Sequence, residues 1–273
     1  MGLYAEALKK IETIENAQTA FAAAGQSVKQ TPGIDNFPLP MMPQALAPEI
    51  ARLQERIDYL LPNRPSRVIG FCGVSGGEGS STIAYLLSLL YARQGYPFAQ
   101  QQNRNGQTGY LRSLRKTHHL LLVDANVHAP RLHTFFGLPR EDGLVEMIET
   151  DLQLNEATAW ISGREFAVLT AGKHPRAATH IFRSSRLTQL LRRAREAFYT
   201  IILDFSAILQ HPDILTLAEM LDGVVLISRA EATRMQDLIR ASQLLEQNHA
   251  RVLGVVVNRF REVVKVPFKN KQP

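Results

Sequence analysis

Six apolar runs, at 67–73, 119–125, 166–172, 199–205, 222–230 and 251–259, recur along the chain. Runs such as "RVIGFCG" and "YTIILDF" are apolar on successive residues rather than alternate ones, so both faces of each strand must be covered. Between them lie stretches with apolar residues at helical spacing: 81–95, 184–198 and 233–248. This alternation predicts an α/β fold in which a mostly parallel sheet is covered by helices on both faces. Ligands on such sheets bind at the carboxyl ends of the strands. Gly73–Thr82, Asp124 and Asp204 all fall at that edge.

The 273 residues, 45% of them hydrophobic, suffice for one such domain with appendages. Residues 1–22 place Tyr4, Leu8, Ile11, Ile14, Ala17 and Phe21 at helical spacing and predict an N-terminal amphipathic helix. Residues 23–47 carry Pro32, Pro38, Pro40 and Pro43 and read as a mostly extended linker. A further helix, "EIARLQERIDYLL", opens at Pro48 or Glu49, and the domain runs over 48–262. Residues 263–273 form a basic tail, and the polar stretch 96–118 reads as an insertion between the first domain helix and the second strand.

Composition narrows the function classes. A single cysteine, Cys72, excludes an internal disulfide framework and suits a reducing cytoplasm. No window is long and apolar enough for a membrane span, so a cytoplasmic location is expected, peripheral at the inner membrane where a partner holds it there. The net charge of +6 and the pI near 9.6 favour anionic neighbours. The basic residues are dispersed, without the aromatic or motif support that a specific nucleic-acid partner requires. The histidines show no ligand spacing, and no zinc site is expected.

The stretch "GVSGGEGSST" (73–82) has the outline of a phosphate-binding loop, G-x-x-x-x-G-K-[ST], with Ser80 where the lysine belongs. Gly76, Gly77 and Gly79 would let successive backbone N–H groups converge on phosphate oxygens above a helix N-terminus. The candidate nucleotide-binding residues are therefore Gly76, Gly77, Glu78, Gly79, Ser80, Ser81 and Thr82. Ser81, Asp124 and Asp204 are the candidate Mg²⁺ ligands, since magnesium prefers hydroxyl and carboxylate oxygens near phosphate. The plain alternatives are glycines required by tight helix–sheet packing and aspartates acting as helix caps. Losing one electrostatic donor of the lysine's kind costs roughly 10²–10³ in rate. A loop of this kind binds ATP or ADP with Mg²⁺ weakly or not at all, and no residue is assigned a catalytic role.

Several stretches together resemble the cytoplasmic domain of the bacterial tyrosine kinases (BY-kinases) of capsule and exopolysaccharide export, within the MinD/ParA group of deviant P-loop ATPases. They are "GGEGSSTIAYLLSLLYARQG", "LLLVDANVHAPRLHTFFGL" followed by "EDGLVEMI", "FAVLTAGKHPRAATHIFRSSRLTQLLRRAREAFYTIILD" and "DGVVLISRAEATRMQDLIRASQLLEQNHARVLGVVVNR". The resemblance covers about residues 48 to 260 and implies a P-loop NTPase-like fold. It also implies eroded chemistry. The loop lysine falls on Ser80 and the MinD/ParA signature lysine on Ser75. The family's D-x-D becomes Asp124-Ala125-Asn126, the following arginine becomes His128, and Asp204 is kept with Ser206-Ala207 after it. Asp213 keeps the downstream acidic position. The family's E-x-x-R-x-x-R docking helix is matched by Glu49 and Arg52, but Glu55 takes the third position with Arg56 one place later. A tyrosine-rich tail is missing from the sequence, whose last tyrosine is Tyr199.

The resemblance thus implies a catalytically impaired BY-kinase-like protein, a pseudokinase acting as an accessory or regulatory partner in exopolysaccharide or capsule biosynthesis and export. Its implied partner is a membrane polysaccharide co-polymerase or other exopolysaccharide machinery, with homo-oligomer formation open. Two alternatives stand beside it. One is a weakly active ATPase or protein-tyrosine kinase whose cation comes from Lys116, Lys173 or a second subunit. The other is a MinD/ParA-like positioning protein.

Overall fold

The computed structural model describes residues 39–62, 65–94, 118–150, 152–161, 166–173 and 178–260. The N-terminal helix expected over 1–22, most of the proline-rich linker, almost all of the insertion over 96–118 and the whole of the basic tail lie outside them. Where the linker ends, Met42 is buried and Leu39 and Leu46 pack against the domain core.

Among the described residues seven strands form one sheet: β1 (Arg67–Gly73), β2 (His118–Asp124), β3 (Thr158–Ile161), β4 (Phe166–Leu169), β5 (Phe198–Phe205), β6 (Gly223–Arg229) and β7 (Val252–Asn258), in the order β3-β4-β2-β5-β1-β6-β7. Six strands are parallel. β3 is the exception, pairing antiparallel to β4 at one edge with Ile161 opposite Phe166. The prediction of a mostly parallel sheet therefore holds, with one short antiparallel edge strand in addition. That strand has four residues and only one sheet neighbour, too little for a continuous apolar run to develop.

The strands are apolar throughout because neighbouring residues enter different cores. Along β5, Ile201 and Leu203 point into one layer and Ile202 into the other. β1 divides in the same way, Val68 and Cys72 to one side, Ile69 and Phe71 to the other. One layer is covered by α2 (Ser80–Gln94), whose residues from Ile83 to Leu89 are all buried. A helix hydrophobic on nearly every side must be sandwiched. It is: α1 (Ala47–Leu60) packs over it through Ile50 and Ile57. The opposite layer takes α7 (Ser185–Ala197), an amphipathic helix capped by the Ser184 hydroxyl and burying Leu187, Leu190, Leu191 and Ala194.

Short helices that the apolar periodicity did not predict carry the chain across the carboxyl edge: α3 (Leu132–Phe136), α4 (Leu144–Glu149), α5 (Leu154–Ala157) and α6 (Ala178–Arg183). None exceeds six residues, which is under two turns and too short to show a period. α8 (Met235–Gln247) lies between β6 and β7, and a 3-10 segment, Pro212–Met220, precedes β6. From β1 the chain moves out to β2 on one side, then crosses from β5 over β1 to β6 on the other. This reversal opens a crevice at the carboxyl end of β1.

Candidate functional site at the carboxyl edge

The loop after β1 leads straight into α2, whose first turn is closed by Ile83 N–H donating to the Gly79 carbonyl, at 3.1 Å. Gly76 and Gly79 adopt φ of +112° and +90°, a region that L side chains rarely adopt. Two distant amides hold the loop. Gln210 donates from Nε2 to the Ser75 carbonyl, and Asn258, at the end of β7, donates from Nδ2 to the Glu78 carbonyl at 2.7 Å.

Two of the loop's amides, those of Ser75 and Gly76, converge, and what they converge on is the side chain of Glu78. Its Oε1 accepts from Ser75 N at 2.7 Å and Gly76 N at 2.9 Å, and its Oε2 accepts from Gly76 N at 2.8 Å. Glu78 is only 3% exposed, although glutamate is among the residues least often buried. Gly73 makes room beneath it, because a Cβ there would stand 2.4 Å from Glu78 Oε2.

Beside the loop, the two strand-end carboxylates are brought together. Asp124 and Asp204 are register partners across β2 and β5, and both are fully buried. Asp124 accepts from three backbone N–H groups: Asn126 at 3.2 Å, Arg131 at 3.0 Å and Leu132 at 2.9 Å. Ser80, the residue at the lysine position, donates its hydroxyl to Asp204 Oδ1 at 2.6 Å. Oδ2 of Asp204 is buried without a hydrogen-bond partner among the described residues. Burial pushes both carboxyls up. For Asp124 the three backbone donors and Arg140 oppose the shift. For Asp204 the Asp124 charge adds to the shift, against the hydroxyls of Ser80 and Ser81.

These observations bear on whether Mg²⁺ fits. A buried carboxylate oxygen with no donor, next to a second carboxylate and to the Ser81 hydroxyl, is an oxygen set suited to a small hard cation. The carboxylates therefore fit a magnesium ion. A phosphate fits the cradle only once Glu78 leaves it, since each seat can hold one anion. Among the described residues no group of three or more His, Cys, Asp or Glu side chains forms a metal site complete in itself.

Asn126, at the position of the family's second carboxylate, accepts from the Ser206 hydroxyl at 2.6 Å and from Ala129 N at 3.1 Å. Two substituted positions, Asn126 and Ser206, thus bond to each other. Spacing alone gave no sign of one further cluster. His128 Nε2 lies 2.7 Å from Asp213 Oδ2, and the His128 ring stacks on that of His211 with centroids 3.6 Å apart. These histidines lie 83 positions apart in sequence (211 − 128), so their contact is purely tertiary. Cys72 is buried in β1, and burial pushes its thiol up, away from reactivity. The Lys173 side chain is exposed, and its backbone N–H donates to Glu146 Oε1 at 3.1 Å; Lys116 lies outside the described residues.

Among the described residues, a seven-stranded, mostly parallel sheet with a glycine-rich loop and two carboxylates at its switch point defines a P-loop NTPase-like fold. Its homologues are bacterial tyrosine kinases. The tyrosine-protein kinase YwqD of Bacillus subtilis is 24% identical over 217 residues, which are 79% of this chain and 82% of that protein. The succinoglycan biosynthesis transport protein ExoP of Rhizobium meliloti is 26% identical over 214 residues, 74% of this chain but 23% of that protein. The kinase domain of Escherichia coli tyrosine kinase ETK superposes with a TM-score of 0.68 at 17% identity, covering 89% of each chain. The septum site-determining protein MinD of Pyrococcus horikoshii, solved with Mg-ADP, superposes with a TM-score of 0.53 at 18% identity, covering 71% of each chain. No protein-family model matches the chain. Among the described residues, no helix is long and apolar enough to cross a membrane.

Proposed function

We propose that this chain is a catalytically impaired BY-kinase-like protein, an accessory or regulatory partner in exopolysaccharide or capsule biosynthesis and export. The observation that carries the proposal is Ser80. Where phosphoryl transfer needs a cation beside the developing charge, this chain has a neutral hydroxyl, already bonded to Asp204 at 2.6 Å. Asn126 supports the same reading, since an amide bonded to Ser206 cannot accept a proton from an attacking hydroxyl. The loop backbone would hold the phosphates of ATP or ADP, and Asp204, Asp124 and Ser81 would hold Mg²⁺. The cation would supply charge neutralisation at the phosphate. The chain's own residues orient and bind without activating a nucleophile. ExoP's name, as a succinoglycan transport protein, supports placing the partner among membrane polysaccharide co-polymerases. It also supports a peripheral position at the inner membrane through that partner.

Mg-ATP turnover and tyrosine phosphorylation by the purified full chain test the reading. No turnover above buffer is expected, and a Ser80→Lys variant should hold Mg-ATP more tightly than the natural chain. Turnover at the rate of an active kinase assayed in parallel would overturn it. The weak-ATPase alternative is favoured by one observation, the retained and adjacent pair Asp124 and Asp204. It would show as slow turnover abolished by Asp204→Asn.

A further inference from the structure

Resting on the reading of the loop as a phosphate seat, we propose that Glu78 is a built-in plug of that seat, excluding phosphate until it swings out. An anion cradle is a set of N–H dipoles aimed at one point, and without an anion those donors lose a charge-assisted partner. Here the charge is supplied in cis. Both carboxylate oxygens are engaged, by the N–H groups of Ser75 and Gly76 at 2.7–2.9 Å, in the manner of two phosphate oxygens.

Three features show that the plug is built in rather than a chance contact. Gly73 leaves the space that the carboxylate fills, its absent Cβ lying 2.4 Å from Oε2. Asn258 holds the backbone of Glu78 itself, at 2.7 Å, so the side chain is aimed back into its own loop. Ser80 offers the carboxylate no competing cation, its hydroxyl being turned to Asp204. The loop is thereby kept in an anion-bound shape without a bound phosphate. Ligand access then carries the cost of the closed state, so affinity is lowered by the fraction of molecules in which Glu78 is out.

The test uses the full chain with Glu78→Ala and the near-isosteric Glu78→Gln, which keeps the fold testable if alanine does not. Amide hydrogen exchange reads Ser75 and Gly76, and calorimetry reads inorganic pyrophosphate and Mg-ADP. In the natural chain, without nucleotide, both amides should be protected. In the variants protection should fall while affinity for both probes rises by about tenfold or more, the factor expected if the seat is plugged nine-tenths of the time. Exchange at open-loop rates in the natural chain overturns the plug. Measurable ADP binding that is equal in all three proteins also overturns it, and leaves the nucleotide-seat reading standing. Freed amides with no binding of either probe overturn both.

Discussion

Asp204 and Asp124 are the residues whose chemistry is most constrained by their surroundings. Two carboxyls on adjacent strands, both desolvated and one with an orphaned oxygen, are costly to ionise together without a cation nearby. Each is therefore raised above the ordinary carboxylate value of 3.8, so the folded protein holds protons that the unfolded chain has released. Stability of the nucleotide-free protein should rise as pH falls from above neutrality towards that value, and fall again as pH rises. Asp204→Asn removes the repulsion while keeping the shape. It should raise the melting temperature at pH 8 by several degrees, with a much smaller gain at pH 5, since about 2–4 °C accompanies each kcal/mol in a domain of this size. Thermal melts of both proteins across that range check it. A variant less stable than the natural chain at pH 8 would show that the pair is not a source of strain.

At the scale of elements, α1 carries Glu49 and Arg52, the two residues that match the docking pattern of the resembled family. Its attachment rests on more than Ile50 and Ile57. Asp58 pairs with Arg67, the first residue of β1, and accepts from the Tyr91 hydroxyl of α2 at 3.0 Å. Arg67 also donates from Nε to Thr200 of β5 at 3.0 Å, and its guanidinium lies over the Tyr91 ring with 4.9 Å to the centroid. One buried cation thus ties α1, α2, β1 and β5. Removing a single partner from a buried ion pair leaves the other charge desolvated and costs about 3–5 kcal/mol. Asp58 is 30% exposed and Arg67 3%, so Asp58→Ala should fall at or below the low end of that range. Denaturant melts measure it, and exchange of the α1 amides should rise more than that of β5.

At the scale of the whole molecule, the described residues form two core layers on one sheet. Ile202 and Leu203 are sequence neighbours on the central strand β5, fully buried in opposite layers. Ile202→Ala and Leu203→Ala each delete buried methyl groups, at a cost of roughly 2–5 kcal/mol. Because both layers hang on the same strands, each substitution should lower one shared unfolding transition. Calorimetric melts check it, and a variant that splits the transition would show that the layers fold independently. The crevice belongs to this scale as well, since β1, β2, β5 and β7 each deliver residues to it from separate parts of the chain.

Much of this is legible in the sequence. Continuous apolar runs such as 67–73 and 199–205 determine parallel, doubly covered strands, because no solvent-facing side is left on them. The same reading placed Asp124 and Asp204 at one edge, since a parallel sheet puts all its carboxyl ends together. The helices of six residues or fewer and the four-residue β3 escaped because they are too short to express a period. The occupant of the loop was decided only in three dimensions. The sequence shows Glu78 as one acid between two glycines, a type that ordinarily points to water. Its burial against Ser75 and Gly76 depends on the left-handed turns at Gly76 and Gly79, on the gap at Gly73 and on Asn258 arriving from β7. Hydrophobic periodicity is a local property and sets the elements. A hydrogen bond between residues 180 positions apart exists only once the sheet has closed around the loop.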